Sequence, residues 1–155
     1  MDPAEIVRAM RIVMALLDRW EGLVLRPYLC AAGVPTIGLG STVYEDGTAV
    51  RLTDPPITRD RAIALASHQV RRRYMRAVRA YCPEAANAER LAAITSLTYN
   101  IGPGALRAST LRRRVNAEDW AGCPPQFMRW NRAGGRVLRG LSARRAAEVA
   151  VFEAH

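Results

Sequence analysis

A single carboxylate, Glu21, lies where a helical pattern ends, and two small polar residues, Cys30 and Thr36, follow it. The surrounding segment, 20–42, is rich in glycine and proline, which is typical of tight turns and short strands. A carboxylate at a helix terminus beside Trp20 can be desolvated, which favours its protonated form and lets it donate a proton to a leaving group. One acid beside small polar groups on a turning backbone indicates a candidate site.

Each of these three residues also has a purely structural interpretation. Glu21 can pair with one of the many arginines, since ion pairs are the common fate of acids in an arginine-rich chain. A lone cysteine such as Cys30 is most often a small buried apolar residue, and a threonine such as Thr36 is a good strand former. No Ser/His/Asp set, Cys/His set or phosphate-binding glycine loop is evident. Residue types and spacing leave both interpretations open.

The apolar periodicity and the turn signals predict the elements that would position this segment. Residues 3–20 form an amphipathic helix, and a small antiparallel sheet follows, with strands at 29–31, 36–39, 43–44 and 48–51. A long helix with an arginine-rich back is predicted from its N-cap, Thr58, to about Tyr81. The remainder is predicted to be helical, with helices at 88–100, 110–115, 117–130 (Pro124–Pro125 being a candidate break) and 142–152 and a loop at 131–140.

Size and charge restrict the class of protein. A chain of 155 residues can fold as one domain around a sizeable core. The formal net charge of +9 is carried by arginine, with no lysine, and indicates either a codon bias or an anionic partner such as nucleic acid, a membrane surface or an acidic polymer. Three cysteines at no metal-ligand spacing indicate neither a disulfide framework nor a zinc site, so we expect no metal and no cofactor.

The spacing Glu-x8-Cys-x5-Thr of Glu21, Cys30 and Thr36 resembles the catalytic signature of the phage-type lysozymes, the endolysins of glycoside hydrolase family 24. The middle position of that signature is Asp or, in some members, Cys. The flanking runs EG, PY and TIGLG are similar to the same family. Further similar runs are YNIG at 99–102, STL at 109–111, WNRAGG at 130–135 and GLSARRAAE at 140–148.

This resemblance implies a fold and an activity. The fold would be α+β, mainly helical and lysozyme-like, with a substrate cleft between two lobes of one domain, 1–155. Its parts would be a sheet lobe at about 21–57, a connecting helix at about 58–81 and a helical lobe from 1–20 and 82–155. The activity would be hydrolysis of the β-1,4 bond between N-acetylmuramic acid and N-acetylglucosamine in peptidoglycan.

The resemblance also implies roles for individual residues. Glu21 would be the general acid, and Cys30 and Thr36 would hold the attacking water on the other face of the sugar. Cys30 replaces the more familiar Asp, so a second permanent carboxylate is missing, and a thiol with an ordinary pKa of about 8.5 is mostly protonated at neutral pH. Further site residues would be Arg144, paired with the catalytic Glu (Arg145 as the fallback), and Asn100 and Trp130 in or behind the cleft.

The implied biology is that of a phage or prophage endolysin that acts on bacterial peptidoglycan. The uncharged N-terminal run is too short for a signal peptide or a membrane span, so we expect a soluble protein made in the host cytoplasm that needs a holin to reach the wall. The basic surface would attract anionic wall or outer-membrane polymers in a salt-dependent way. We expect a monomer with no nucleic-acid partner.

Two other functions fit the sequence. A lytic transglycosylase needs only one acid and forms anhydro-muramic ends. A non-catalytic basic protein that binds the cell wall or the membrane needs no acid at all.

Overall fold

The computed structural model describes residues 1–155 and is mostly helical with small antiparallel sheets, as the sequence predicts. The first helix, α1, runs over Pro3–Trp20, close to the predicted limits. Asp2 caps it by accepting a hydrogen bond from the Ala4 backbone N–H at 3.0 Å, and Pro3 occupies the first turn, where no N–H is needed. Its inner face, which includes Val13 and Leu17, is fully buried in the main core.

The sheet that follows is shorter than the sequence predicts. Strands β1, Val24–Leu29, and β2, Pro35–Gly38, pair antiparallel with Tyr28 opposite Thr36. The first strand therefore ends before Cys30, whereas we expected it to begin at Leu29. The predicted second hairpin is reduced to a single bridge between Val43 and Ala49. A small separate cluster of Ile37, Val50 and Leu65 forms the core under this sheet.

A continuous helical segment connects the sheet to the rest of the molecule. It consists of α2, Arg59–Gln69, a π-helical turn, Val70–Tyr74, and α3, Met75–Tyr81. The Thr58 hydroxyl accepts a hydrogen bond from the Arg61 N–H at 3.1 Å and caps the helix start, as the sequence predicts. The π-helical turn was not predicted. Such turns insert one extra residue into a helix and are frequent at functional sites.

The other helices pack around one buried helix. That helix is α4, Ala88–Ile101, in which Leu91, Ile94 and Leu97 are fully buried. It packs most extensively against α1 and against the last helix, α8, Arg139–Glu153. Four short elements separate α4 from α8 in the sequence. They are α5, Pro103–Ala108, α6, Thr110–Asn116, a 3-10 turn, Trp120–Gly122, and α7, Pro124–Met128.

Three sequence predictions in this half are wrong, and one helix was missed. The helix at 117–130 is a turn, a 3-10 turn and the short α7, because Pro124 can begin a helix but cannot continue one. The loop at 131–140 contains a two-residue hairpin, β3, Arg132–Ala133, and β4, Arg136–Val137. Ser142 does not begin the last helix, which starts three residues earlier with Leu138 as its N-cap. Helix α5 was not predicted.

None of the helices combines the length and hydropathy needed to cross a membrane.

Candidate active site

Glu21 is held at the point where α1 ends. Its backbone has left the helical conformation (φ −90°, ψ 128°), while its N–H still donates to the Leu17 carbonyl at 2.8 Å. The side chain is 19% exposed, and its Oε1 accepts a hydrogen bond from Arg144 Nη1 at 2.7 Å. The carboxylate therefore makes the ion pair that its structural interpretation requires, and it remains partly exposed to solvent.

The second oxygen of Glu21 faces a glycine. Gly40 has a φ of +85°, a conformation that favours glycine, and a Cβ atom at that position would lie 3.5 Å from Glu21 Oε2. The two carboxylate oxygens therefore have different surroundings: Oε1 accepts from Arg144, whereas Oε2 lies beside Gly40.

Arg144 is anchored by a buried network on α4 and α8. Its side chain is only 5% exposed, and it contacts Glu148 Oε1 and the Ser96 carbonyl oxygen, each at 3.4 Å. Glu148 is completely buried and also accepts hydrogen bonds from Ser96 Oγ at 2.7 Å and from Arg145 Nη2 at 3.0 Å. Burial raises the pKa of Glu148, and the two arginines and the Ser96 hydroxyl oppose that shift.

Asn100 and Trp130 are tied to this network through the second arginine. The buried Arg145 donates from Nη1 to Asn100 Oδ1 at 3.0 Å and to the Trp130 carbonyl oxygen at 3.4 Å. Burial lowers the pKa of Arg145, which the charge of Glu148 opposes. Asn100 and Trp130 also line a shallow cavity of about 480 Å³ with Leu141. Arg144, and not Arg145, is therefore the residue that contacts Glu21.

Cys30 and Thr36 lie on the same face of the small sheet. Tyr28 is opposite Thr36, and the Cys30 N–H donates to the Val34 carbonyl at 3.1 Å, so Cys30 and Thr36 are diagonal neighbours across the strand pair. Cys30 is partly exposed, whereas Thr36 is buried and donates its hydroxyl to the Val34 carbonyl at 2.8 Å. The sheet therefore presents a thiol and a hydroxyl side by side.

The surroundings of Cys30 favour its thiolate. Hydrogen bonds from the Val34 and Ala32 backbone lower the pKa of the Cys30 thiol, and the Thr36 side chain contributes in the same direction. The other two cysteines differ, since burial raises the pKa of Cys82 to about 12 and that of Cys123 to about 11. All three are free thiols. Only Cys30 has the environment of a reactive cysteine.

Two tyrosines connect the sheet with the acid. Burial and the charges of Glu21 and Cys30 raise the pKa of Tyr28, which places both groups within electrostatic reach of one ring. Tyr99 donates its hydroxyl to the Leu39 carbonyl at 2.6 Å and so fixes the turn that contains Gly40. Burial and the charge of Glu21 raise the pKa of Tyr99 as well. Tyr28 therefore lies near both Glu21 and Cys30, and Tyr99 lies near Glu21.

The family model for phage lysozyme matches residues 18–148. This range includes the candidate acid, the sheet with its thiol and hydroxyl, the connecting helix and the buried network of α4 and α8. The chain belongs to the phage lysozyme family.

Individual relatives of the family cover nearly the whole chain. An endolysin of Acyrthosiphon pisum secondary endosymbiont phage 1 is 34% identical over 144 residues, which are 90% of this chain and 94% of that protein. The solved endolysin from Escherichia coli O157:H7 phage FAHEc1 superposes with a TM-score of 0.81 at 30% identity, covering 93% of this chain and 92% of its own. The muramidase domain of SpmX from Asticaccaulis excentricus gives a TM-score of 0.79 at 25% identity, covering 94% and 97%. The predicted lysozyme-like α+β fold is confirmed.

Three residues near Glu21 or Arg144 were not predicted from the sequence as site residues: Ser96, Tyr99 and Glu148. A signal for Ser96 and Glu148 was present. Ser96 is a polar residue inside the most apolar helix of the chain, and Glu148 follows the two arginines at helical spacings of four and three residues. A buried carboxylate that faces two buried arginines was therefore predictable, but its partner on another helix was not.

Proposed function

We propose that this chain is an endolysin that hydrolyses the β-1,4 bond between N-acetylmuramic acid and N-acetylglucosamine in peptidoglycan. Membership of the phage lysozyme family makes it a glycoside hydrolase of the muramidase type. The observation that carries the proposed mechanism is the asymmetric environment of Glu21. Its Oε1 is fixed by the buried Arg144, while its Oε2 is open beside Gly40.

In the proposed reaction Glu21 is the general acid. Its Oε2 proton passes to the glycosidic oxygen as the bond from that oxygen to the anomeric carbon breaks. Arg144 then stabilises the carboxylate that remains, because its guanidinium already contacts Oε1 and is itself held by Glu148. The position of this arginine is set before substrate arrives, so no reorganisation is needed during the reaction.

Cys30 and Thr36 are proposed to supply the second half of the reaction. The water oxygen bonds to the anomeric carbon, and the proton that the water loses passes to the Cys30 thiolate, from which it returns to Glu21 through solvent. The lowered pKa of Cys30 raises the share of thiolate at neutral pH and suits this role. The Thr36 hydroxyl, one diagonal position away, would orient the water.

The proposed setting is the lysis of a bacterial host. The enzyme would be made in the host cytoplasm, cross the inner membrane with the help of a holin and act as a monomer on the wall peptidoglycan. Its net charge of +9 would favour contact with anionic wall and outer-membrane polymers. No nucleic-acid partner and no cofactor are part of the proposal.

Product masses from purified peptidoglycan test the proposed reaction. Hydrolysis gives muropeptides with a reducing N-acetylmuramic acid end, each carrying the atoms of one added water. Anhydro-muramic products, one water lighter, would contradict hydrolysis and favour a transglycosylase. Family membership favours neither that alternative nor a binding-only protein.

A further inference from the structure

The outer face of the connecting helix carries five exposed arginines. Three lie in the π-helical turn and two in α3; they are Arg71, Arg72, Arg73, Arg76 and Arg79. None of the five takes part in an ion pair, although seven other arginines of the chain do. Their positive charge is therefore available to a partner.

This arrangement is unfavourable for the helix by itself. Arg72 and Arg76 are four residues apart and Arg73 and Arg76 three apart, so their side chains are neighbours on the helix surface and repel one another. No acidic residue occurs between Arg61 and Glu84 to relieve that repulsion. An anionic ligand would neutralise these charges, which the chain itself does not.

Three of the arginines form the wall of a concave site. Arg72, Arg73 and Arg76 line a cleft of about 370 Å³ whose floor is apolar; the floor residues are Ala77, Ala80, Tyr81 and Pro103. The floor is fixed from behind, because the Tyr81 carbonyl accepts a hydrogen bond from Asn116 Nδ2 at 2.8 Å. Basic walls above an apolar floor fit a ligand that combines an anionic group with an apolar body.

We propose that this cleft binds the phosphate headgroup of an anionic membrane phospholipid. Guanidinium groups pair with phosphate oxygens through two parallel hydrogen bonds, and adjacent arginines can share one phosphate. The apolar floor would contact the glycerol and the first methylene groups of the phospholipid. A bare phosphate polymer has no such apolar groups. The inference concerns a surface outside the proposed catalytic site and does not depend on the proposed reaction.

Such binding would orient the enzyme. The Arg73 guanidinium lies 5.3 Å from the ring centroid of Tyr74, and Tyr74 packs on Tyr99 with ring centroids 4.8 Å apart. Tyr99 in turn holds the turn beside Glu21 through Leu39. Lipid bound at these arginines would therefore hold the enzyme by a surface that is connected to the candidate site through Tyr74 and Tyr99.

The test is co-sedimentation of the full chain with phosphatidylcholine vesicles, with and without phosphatidylglycerol. The variant combines Arg72→Gln, Arg73→Gln and Arg76→Gln. The matched control combines Arg26→Gln, Arg136→Gln and Arg139→Gln, which removes the same charge from exposed positions elsewhere. We expect binding to phosphatidylglycerol vesicles to fall about a hundredfold in the first variant, since each basic residue near the surface contributes about fivefold. The control should lose less than about fivefold.

Hydrolysis of soluble peptidoglycan fragments is measured in parallel and should be unchanged in the first variant, which separates this inference from the proposed reaction. An equal loss of vesicle binding in both variants would show that only net charge matters and overturn the site. Unchanged vesicle binding with selectively weaker binding to a duplex oligonucleotide would assign the surface to nucleic acid and overturn the lipid as its partner.

Discussion

Glu21 shows that two interpretations of one residue can both hold. Its sequence position fits an ion-paired carboxylate as well as a catalytic acid, and the structure gives it a short contact with Arg144 while one oxygen remains open. The expected apolar surrounding is present only in part, because the carboxylate contacts the Arg144 guanidinium at 2.7 Å. Pairing therefore positions the acid in this enzyme and does not exclude it from the reaction.

At the same scale, Cys30 should be the cysteine that reacts first with iodoacetamide. Its pKa is lowered, so its thiolate forms at a lower pH than that of an ordinary cysteine, whereas the pKa values of Cys82 and Cys123 are raised by burial. Mass spectrometry should find one alkylated site at neutral pH. The rate should rise with pH and reach half of its plateau at a lower pH than an ordinary cysteine thiol does.

Thr36→Val is the matched variant for this measurement, because it removes the Thr36 hydroxyl, one of the groups that lower the pKa of Cys30, while keeping the shape of the side chain. The half-plateau pH of Cys30 should then move upward. Equal labelling of all three cysteines in the folded protein would contradict the assigned environments.

Substitution of Cys30 tests whether the thiolate takes part in the reaction. Cys30→Ser should lower kcat about a hundredfold, because a serine hydroxyl does not ionise at neutral pH and cannot take the proton of the water. Cys30→Asp should retain activity within about tenfold and extend it to lower pH, since an aspartate is ionised above about pH 4. Kinetics on purified peptidoglycan check both. If Cys30→Ala left the rate unchanged, Cys30 would be only a packing residue.

At the scale of elements, apolar periodicity predicts the helices that bury a face in the core. It fails for short elements whose formation depends on local backbone geometry. The limits of α1, α4 and the long connecting helix were predicted within a few residues. Each of these helices is apolar along one continuous face or over most of its surface. The strands β3 and β4 have two residues each, and α5 has six residues. These elements are too short for an apolar period to be visible. Their formation depends on tertiary contacts and on glycines with positive φ such as Gly134.

The contact between α4 and α8 should depend on the buried carboxylate of α8. Glu148→Gln leaves Arg144 and Arg145 buried without their counter-charge, so the free energy of unfolding should fall by about 3 kcal/mol. Urea denaturation measures this change. Glu153→Gln, at an exposed position of the same helix, is the matched control and should change stability by less than about 0.5 kcal/mol. Equal stability of the two variants would contradict the network.

At the scale of the whole molecule, the site divides into a local part and a distant part. Glu21, Cys30 and Thr36 lie within sixteen consecutive positions, 21–36, so their spacing could be recognised in the sequence. The contact of Glu21 with Arg144 joins residues 123 positions apart, and that of Ser96 with Glu148 spans 52. Arg144 was predicted only through the resemblance to a family. Ser96 and Tyr99 require the packed helices to be known, because no local pattern places them beside the acid.

The account depends most on Glu21 as the proton donor, and the most direct test is the rate of bond cleavage in purified peptidoglycan by the Glu21→Gln variant. Asp18→Asn, one turn earlier on the exposed side of the same helix, is the matched control. We predict that Glu21→Gln lowers the rate by about 10²- to 10⁴-fold, while its circular dichroism spectrum and unfolding midpoint stay close to those of the wild type and the control remains active. A folded Glu21→Gln variant that cleaves peptidoglycan within about tenfold of the wild-type rate would contradict the assignment of Glu21 as the general acid.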